Sequence, residues 1–360
     1  MGKPTVYMWP KFSPDNKYSE LLTRSVEDNG LHVEHYDKRN ALKPAKGDIV
    51  HMHWPSYSYQ ASSFPLTIVK SLLYAALLLF FKLRGVRLFW TVHNIWPHST
   101  GKTKWDYLMR KYILAVCNKG FVLSESVKRE AVETFGVSPD KLVVTPHGHY
   151  VDAYPAGGAD IRKRFGIPSD HFLFLFVGRI NPYKGIERLV EAFTALKLDS
   201  AHLLIAGKVD DGYSLDFIDK ANDPRIKVYP KFVDDSELVD YLRAGNVVVL
   251  PYNQITTSGS AILALSYYKP VVAPKLGSLS EYIPEGGGIL YDPADPEGLR
   301  KALEQSVRLN REETEKHIAK KLAELDWKKI AGRMIHVYMA NRNDIAVMEG
   351  QTVSARNIRR

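Results

Sequence analysis

Two basic side chains that follow one strand-like run are the residues best suited to chemistry. Residues 172–193 read FLFLFVGRINPYKGIERLVEAF, in which an apolar run ends at Gly178, Arg179 follows, and Lys184 precedes a helix-like segment. Arginine offers a fork of N–H donors, lysine a compact charge, and a helix N-terminus adds backbone N–H groups. The spacing predicts that Arg179 and Lys184 bind one anion.

A row of small hydroxyl residues stands at a second strand end. In residues 246–266, NVVVLPYNQITTSGSAILALS, an apolar run ends at Tyr252 and a helical run follows the hydroxyls. Such residues can simply cap the helix, or their hydroxyl and backbone donors can hold a phosphate. Both runs belong to the same predicted sheet, which favours one shared phosphate site. The predicted phosphate-binding residues are Gly178, Arg179, Lys184, Thr257, Ser258, Gly259 and Ser260.

Histidines mark the strand ends of the first half of the chain, in the segments VHMHWP, TVHNIWPH and TPHGHY. The pairs fall on separate strands, and no close cysteine or carboxylate completes a metal set, so we expect no essential metal. Proton transfer or hydrogen bonding to a polyhydroxylated ligand suits histidine better. His93 is the catalytic candidate for proton transfer, and His53, Asn94 and His147 are candidates for binding the polyhydroxylated ligand.

Several common nucleotide and hydrolase motifs are missing from the sequence. There is no GxxxxGK[ST] phosphate loop, no full GxGxxG after the first strand, and no GxSxG elbow. The sequence also lacks a bare Asp-x-Asp triplet that could carry a metal-bound diphosphate. These absences disfavour a phosphate-loop NTPase, a dehydrogenase and a serine hydrolase.

Short β-rich runs alternate with helix-length segments along the whole chain, including TVYMWP, DIVHMHW, HLLIAGK and PVVAPK. Alternation of this kind predicts an α/β fold of two doubly wound, Rossmann-like domains with mainly parallel sheets. In such sheets, ligands bind at the carboxyl ends of the strands, which is where the candidate residues stand. We place a first domain at 1–155, a second domain at 160–325, a further helix at 326–342, and a flexible tail at 343–360.

Charge and cysteine content narrow the class of protein further. The net charge is +9, of which residues 1–155 carry +7, from 20 Lys and Arg against 13 Asp and Glu. A basic first half suits an anionic partner, although simple solubility would explain it equally well. Cys117 is the only cysteine, which fits a reducing compartment, and the N-terminus lacks the apolar segment of a secretory signal.

One apolar stretch raises the question of a membrane. Residues 71–81, SLLYAALLLFF, carry no charge and are bracketed by Lys70 and Lys82. Eleven residues are too few to span a bilayer, which takes about 20. The segment is therefore either a helix buried in the core or a helix that lies in the membrane interface, with Arg84 and Arg87 on lipid headgroups.

Taken in order, these motifs resemble the GT-B glycosyltransferases, most closely the family 4 group, over about residues 1–342. They include DIVHMHW, TVHN, FVLSESVKREAVETFG, VVTPHG and LFVGRINPYKGIERLVEAF. The wording TSGSAILALS is similar to bacterial exopolysaccharide mannosyl and glucuronosyl transferases. The resemblance implies metal-independent transfer from a nucleotide-sugar in a cleft between two domains, and a final helix that crosses back to the first. It also implies that Arg179 and Lys184 grip the donor diphosphate, with His93 near the donor sugar.

The sequence departs from the family pattern in the hydroxyl-rich stretch. Family 4 members usually carry Glu-x7-Glu there, one Glu facing the sugar and the other holding the ribose, but this chain has Ile255 and Leu263. Neither side chain can accept a hydrogen bond, so the stereochemical course stays open. An inverting enzyme needs a base, for which Asp15 and His93 are the candidates. A retaining enzyme would let the donor phosphate assist the acceptor.

The expected activity is transfer of a hexose-type sugar from a GDP- or UDP-linked donor to a lipid-linked or polysaccharide-precursor acceptor. We expect no cofactor and no nucleic-acid partner. The expected location is cytoplasmic, peripheral on the anionic inner face of the cell membrane. Two alternatives stay open: a nucleotide-sugar epimerase or hydrolase on the same fold, and a sugar-nucleotide-binding protein without activity.

Overall fold

The computed structural model describes residues 3–13, 17–97 and 101–340, and the structural statements below concern these residues. Contacts divide the chain into two compact units. Unit 1 comprises the residues up to Gly148 together with those from Trp327 onward, and unit 2 is His149–Asp326. The sequence-based boundaries at 155, 160 and 326 lie within a dozen residues of these divisions. The tail predicted at 343–360 and the catalytic candidate Asp15 lie outside the described residues.

Unit 1 is built on a six-stranded parallel sheet with strand order β2-β1-β3-β4-β5-β6. Its strands are β1 Thr5–Trp9, β2 His32–His35, β3 Ile49–Met52, β4 Arg87–Val92, β5 Lys119–Val122 and β6 Leu142–Val144. Its helices are α1 Tyr18–Asp28, α2 Ser56–Tyr59, α3 Phe64–Leu83, α4 Lys104–Val116, α5 Glu125–Phe135 and α14 Trp327–Met339. Short 3-10 turns lie at Lys38–Asn40 and Pro139–Lys141.

The apolar character of the central strands explains their position in the sheet. Strands β3 and β5 are buried along almost their whole length, as expected for parallel strands covered on both faces. Strand β2 is one of the two edge strands, and its sequence HVEH alternates polar residues, which is why the apolar-run criterion missed it. The sequence analysis found the other five strands of this sheet.

The last described helix, α14, returns to unit 1 after the chain has built unit 2. It packs with α1 in one apolar cluster with β1, β4 and β5, through residues such as Trp327, Ile330, Met334 and Tyr338. Its apolar positions recur every three to four residues, which is the spacing that buries one face of a helix. The helix return implied by the sequence resemblance is thus present.

Unit 2 repeats the doubly wound plan with a second parallel sheet, in the strand order β12-β11-β10-β7-β8-β9. Its strands are β7 Phe172–Val177, β8 Ala201–Ala206, β9 Ile226–Tyr229, β10 Val247–Val249, β11 Val271–Pro274 and β12 Gly288–Tyr291. Its helices are α6 Ile161–Arg164, α7 Ile186–Thr194, α8 Asp216–Ala221, α9 Asp235–Ala244, α10 Gly259–Ser266, α11 Leu279–Tyr282, α12 Gly298–Ser306 and α13 Arg311–Glu324.

The order of strands decides where the site of unit 2 can lie. Strands β7 and β10 are hydrogen-bonded neighbours near the centre of the sheet, so the loops that leave their carboxyl ends start side by side. The chain runs from β7 toward α7 and from β10 toward α10, and both connections are short. A site at this edge therefore draws on residues about 70 positions apart in the sequence. Ligands of open α/β sheets bind at such an edge.

Candidate active site

The loop between β7 and α7 carries both predicted basic residues, which differ in their exposure to solvent. Arg179 is exposed at 68% of its side chain, and its Nε donates a hydrogen bond to Oδ1 of Asp210. Lys184 is only 9% exposed and ends the 3-10 turn Pro182–Lys184. An exposed ion pair contributes little to stability, so Arg179 can exchange Asp210 for an anionic ligand at small cost.

Lys184 is held by two tyrosine rings. Its Nζ lies 4.4 Å from the ring centroid of Tyr252 and 5.0 Å from that of Tyr183, and it donates a hydrogen bond of 3.4 Å to the Tyr252 hydroxyl. Burial works to lower the pKa of Lys184, but the two tyrosine hydroxyls outweigh it and raise the pKa. The ammonium is therefore charged near neutral pH. In a buried site, such a charge interacts strongly with an incoming anion.

Tyr252 connects Lys184 to the hydroxyl-rich segment. The Tyr252 hydroxyl lies 3.0 Å from Oγ of Ser258, and that Oγ accepts a hydrogen bond of 3.1 Å from the backbone N–H of Ala261. Ser258 is thus the N-cap of α10, which is the plain reading of the sequence, and it is also part of a Lys184–Tyr252–Ser258 chain. The sequence analysis placed Tyr252 at the strand end but gave it no role.

The two loops are locked together by their backbones. The backbone N–H of Asn253 donates to the carbonyl of Tyr183 at 2.9 Å. Gly185 has φ +70°, and a Cβ built there would lie 2.1 Å from the carbonyl oxygen of Pro251, so only glycine fits. The predicted residues Gly178 and Ser260 are neighbours as well, since a Cβ on Gly178 would lie 3.8 Å from the Ser260 Oγ. The structure therefore brings the two motifs to one place.

Three buried polar atoms around these loops have no hydrogen-bond partner among the described residues. They are Oδ1 of Asn181, Oγ1 of Thr257 and Oγ of Ser278. Ser278 is tied to the segment by its backbone N–H, which donates to the carbonyl of Thr256 at 3.0 Å. Buried polar atoms are almost always hydrogen-bonded in folded proteins, so these three are candidates to contact a bound ligand or water. Sequence reasoning had selected Thr257 but not Asn181 or Ser278.

The two positions that lack the family's glutamates are part of the apolar packing. Ile255 and Leu263 are partly buried and pack against one core cluster of unit 2, which also contains Ala261 and Leu265. A carboxylate at either position would lose these apolar contacts. The local sequence therefore fits these side chains to a structural role here.

The histidines of unit 1 gather at the carboxyl ends of β3 and β4. Nδ1 of His53 lies 3.3 Å from Nε2 of His93, and the His93 ring stacks on Trp54 with centroids 4.4 Å apart. The Tyr18 ring contacts His93 and His147 edge-on, each at 4.7 Å between centroids. The structure thus brings together three of the histidines that the sequence analysis selected, although they come from separate strand ends.

The histidines of this cluster differ in how fully their nitrogens are used. Nε2 of His51 bonds to the Thr91 hydroxyl at 2.7 Å and its Nδ1 bonds to the Tyr338 hydroxyl at 2.6 Å. His51 is therefore satisfied on both sides and fixes α14 to the sheet. His53 is 1% exposed, and its Nε2 has no partner among the described residues. His93 is only partly buried, so it is the member of the pair that a ligand can reach.

Burial keeps the histidine cluster neutral. It lowers the pKa of His53 to about 3 and of His147 to about 4, and it lowers the pKa of His93 and His51 well below the ordinary value. For His93 and His51, the neighbouring His53 adds to the effect. A neutral imidazole has a lone pair, so His93 has the protonation state that a general base requires.

Asn94 and His147 are the remaining residues of unit 1 that the sequence analysis selected as ligand-binding candidates. Asn94 is partly exposed beside His93, and its backbone carbonyl accepts a hydrogen bond of 2.7 Å from Nη1 of Arg110. His147 is buried, and its Nδ1 lies 2.7 Å from the carbonyl of Gly148. In the part of the chain that the structure describes, no group of three or more His, Cys, Asp or Glu residues could hold a metal ion.

Comparison with solved structures defines the class of the fold. Sucrose-phosphate synthase of Thermosynechococcus elongatus superposes with a TM-score of 0.70 at 19% identity, over 94% of this chain and 98% of that one. HepE of Anabaena, solved in complex with UDP, superposes with a TM-score of 0.68 at 13% identity, over 92% and 98% of the two chains. The fold is that of the GT-B glycosyltransferases.

Family models assign both halves of the sequence. The model "Glycosyl transferases group 1" matches residues 159–324, and "Glycosyltransferase Family 4" matches residues 36–153. A GDP-mannose:glycolipid 4-beta-D-mannosyltransferase of Xanthomonas campestris pv. campestris is 27% identical over 336 residues, which cover 90% of this chain and 88% of that protein. This chain belongs to the group 1, family 4-like glycosyltransferases, and it is an enzyme of that class.

Proposed function

We propose that this glycosyltransferase moves a hexose-type sugar from a GDP- or UDP-linked donor to a lipid-linked or polysaccharide-precursor acceptor. The observation that carries the proposal is the buried Lys184 ammonium, joined through Tyr252 to the cap of α10 and supplied by the same loop as Arg179. Cations and helix N-termini are the groups that proteins use to bind a diphosphate. Two of the similar proteins support these substrates. The Xanthomonas campestris protein is named as a GDP-mannose:glycolipid enzyme, which supports a GDP-linked donor and a lipid-linked acceptor. HepE was solved with UDP, which supports a UDP-linked donor.

Donor binding is testable without knowing the acceptor. We expect one nucleotide class among UDP-, GDP- and ADP-sugars to raise the melting temperature, because a ligand at 100 times its Kd stabilises the native state by about 2.7 kcal/mol. Lys184→Ala should abolish this shift, whereas Lys197→Ala, an exposed lysine elsewhere in unit 2, should retain it. A screen in which no nucleotide shifts the wild-type protein would contradict the proposal.

The reaction proposed is a displacement at the anomeric carbon. The acceptor oxygen forms a bond to that carbon, the bond from the carbon to the diphosphate oxygen breaks, and the electron pair leaves with the diphosphate. Arg179 and Lys184 stabilise the negative charge that develops on the leaving group, and hydroxyl and N–H donors of 257–260 add to this. The two cations can take the charge without a metal, so we expect chelating agents to leave turnover unchanged.

His93 is the candidate to accept the proton of the attacking hydroxyl. Its Nε2 shares one proton with Nδ1 of His53, so the two rings must adopt complementary tautomers. If Nδ1 of His93 is the base, the shared proton sits on Nε2 of His93. His53 then accepts at Nδ1 and carries its own proton at Nε2. His53 would thus be a positioning residue that selects the tautomer of His93.

We propose an inverting course because the usual donor-side carboxylates are replaced by Ile255 and Leu263. That segment offers the donor sugar no carboxylate. The reaction would therefore depend on a base that takes the proton of the acceptor hydroxyl. Proton NMR of the first product formed, compared with the anomeric signal of the donor, tests this directly. A product with the donor's configuration would overturn the inverting course and leave the donor site intact.

A glycolipid acceptor would place the enzyme at a membrane, and we propose a peripheral, cytoplasmic location on the inner face of the cell membrane. Two further outcomes would redirect the proposal. Release of free sugar from the donor at a rate that no added acceptor changes would indicate a hydrolase, and isomerisation of the donor would indicate an epimerase. Product analysis with donor alone separates these activities from transfer.

A further inference from the structure

Helix α3 exposes an apolar face to solvent and buries a face that includes polar residues. Its buried stripe, Thr67, Ser71, Tyr74, Leu78 and Phe81, includes two hydroxyl residues and a tyrosine. The exposed residues of α3 are all apolar except Lys82, and they form an exposed stripe that includes Leu66, Val69, Leu72, Leu73, Leu79 and Leu83. A helix on the surface of a protein in water normally turns its polar face outward. The reversal needs an explanation other than the core of unit 1.

The exposure of this stripe is large at several positions. Leu72 is 62% exposed, Leu73 67% and Leu83 79%, and Leu108 of the adjacent helix α4 is 56% exposed. Scattered exposed leucines are normal, but a row of them along 20 residues, a length of about 30 Å, is not. By length and composition alone α3 could also cross a membrane, and it is the one such helix in the described residues.

Contacts on the inner side show that α3 is packed within unit 1. The Ser71 hydroxyl accepts a hydrogen bond from Nε1 of Trp105 at 2.9 Å, and the carbonyl of Ala75 accepts one from the Tyr112 hydroxyl at 2.8 Å. Tyr74 is fully inside the core cluster, with its hydroxyl 3.0 Å from the Met52 sulfur. Spanning a bilayer would break these contacts, whereas lying flat on its surface would keep them.

The sequence on both sides of the exposed stripe is basic and lacks carboxylates. Between Asp48 and Asp106 the sequence has no Asp or Glu. It has six basic residues in that interval, namely Lys70, Lys82, Arg84, Arg87, Lys102 and Lys104. At the end of α3, the Arg84 guanidinium lies 5.3 Å from the centroid of the exposed Phe80 ring and donates to the carbonyl of Leu42, itself exposed. Cations therefore border the apolar stripe directly.

We propose that the exposed stripe of α3, with Leu108 and the cations Lys82 and Arg84, is a docking surface for an anionic phospholipid bilayer. The apolar side chains enter the boundary between headgroups and acyl chains, and the cations bind the lipid phosphates. A second copy of the chain fits this surface poorly, because two such faces would bring their cations together with no carboxylate between them. The inference rests on the proposed function for its purpose, which is access to a glycolipid acceptor.

Flotation of the full chain with vesicles tests the surface without any donor or acceptor. We expect binding to vesicles of phosphatidylcholine with phosphatidylglycerol at low salt, with much weaker binding to phosphatidylcholine alone and at high salt. Leu72→Gln/Leu73→Gln should reduce the bound fraction roughly tenfold. The matched control Phe232→Gln/Met339→Gln alters two other exposed apolar residues and should bind like wild type.

A second pair of variants tests the contribution of the cations Lys82 and Arg84 to vesicle binding. Lys82→Gln/Arg84→Gln should reduce binding to the anionic vesicles roughly tenfold, since each cation near such a surface contributes to attraction. Arg308→Gln/Lys320→Gln removes two exposed charges from unit 2 and should not. Equal loss in both charge variants would mean that net charge, and not this border, drives binding, and would overturn the assignment.

A site-specific probe shows which face is inserted. Cys117 is buried, so a label directed at Leu72→Cys reacts at that position. An environment-sensitive fluorophore there should shift to the blue on addition of anionic vesicles, whereas one at Phe232→Cys should not. Absence of any shift would overturn the docking surface, as would a stable dimer that Leu72→Gln/Leu73→Gln dissolves. Turnover on a water-soluble acceptor with no vesicle binding would do so too, while leaving the proposed function standing.

Discussion

The candidate sites of the two units lie at the carboxyl ends of similar parallel sheets, but one is charged and the other is neutral. In unit 2 the candidate site is charged: Arg179 stands exposed, and Lys184 is buried as an ammonium between tyrosines. In unit 1 the candidate site is neutral: His53, His93 and His147 lose their charge to burial and pack around Tyr18. The displacement proposed above would use a site of each kind, since it releases a diphosphate and takes a proton from a hydroxyl.

The difference teaches how environment sets the role of a titratable group. Lys184 and His53 are both almost fully buried, but only the lysine keeps its charge, because tyrosine hydroxyls and ring faces surround it. His53 is surrounded by the rings of Tyr18 and Trp54 and by two other imidazoles, which do not compensate its desolvation. Each prediction below tests one side of this contrast.

Removal of His93, the proposed base, should have the largest effect. His93→Ala should lower kcat by roughly 10²–10⁴, the usual contribution of a positioned general base, with the donor-induced melting shift unchanged. Steady-state kinetics with a saturating donor checks the rate, and His317→Gln, an exposed histidine of unit 2, is the control. Normal turnover in His93→Ala would remove this histidine as the base.

Removal of the charged groups should be next in size and should also affect donor binding. Lys184→Ala and Arg179→Ala should each lower kcat/KM by about 10²–10³, by analogy with the loss of one donor from an oxyanion site. Lys184→Ala should weaken donor binding as well, whereas His93→Ala should leave donor binding unchanged. Near-normal turnover of both variants, against Lys197→Ala as reference, would refute the assignment of these residues to the diphosphate.

The lock between the two loops of unit 2 should respond to a single methyl group. Gly185→Ala combines a positive φ with a clash against the Pro251 carbonyl, so we expect it to lower the free energy of unfolding by about 3 kcal/mol and to weaken donor binding. Gly166→Ala has a similar φ of +64° but nothing within 4 Å of the added carbon, so about 1 kcal/mol is expected. Urea unfolding of both variants measures the difference, and equal losses would show that the loops are not interlocked.

The neutral cluster should make stability depend on pH. The pKa values of His53 and His147 lie at about 3 and about 4 in the folded protein, below the unfolded value of about 6.5. Their contribution is therefore fully present above pH 6.5 and is lost as the pH falls toward 4, because only the unfolded chain binds protons in that range. Each histidine accounts for up to about 1.4 kcal/mol per pH unit.

Urea unfolding at pH 7 and pH 5 measures this loss. His147→Gln should flatten the pH dependence by one histidine's share, whereas the exposed His317→Gln should leave the slope as it is. A wild-type protein whose free energy of unfolding is the same at both pH values would show that the cluster is not buried and neutral in the native state.

Much of the fold could be predicted from the sequence because its signals are local. Eleven of the twelve described strands are apolar runs bounded by turn residues, and only β2, with its alternating polar residues, escaped this criterion. The glycines and basic residues of the β7–α7 loop were readable for the same reason. The packing of the segment between the two predicted domains was not predicted, since it depends on a distant helix: the Ala159 N–H donates to Oδ2 of Asp240 in α9 at 2.8 Å.

The site could be predicted only in part, because its contacts join distant positions. Arg179, Lys184 and Ser258 were selected by residue type, but their partners Asp210 and Tyr252 were not. The pairing of His53 with His93 depends on strands β3 and β4 being neighbours in the sheet. No local pattern in the sequence states which strands are adjacent.

By itself, the sequence determined the alternation of strands and helices, the basic loop at 178–185 and the absence of carboxylates at 255 and 263. Periodicity and residue type are properties of short segments, so they survive without coordinates. Only the tertiary structure decided that Ser258 caps a helix while it contacts Tyr252, and that Lys184 is charged although buried. It also decided which face of α3 turns outward, since burial depends on the sheet that the helix covers.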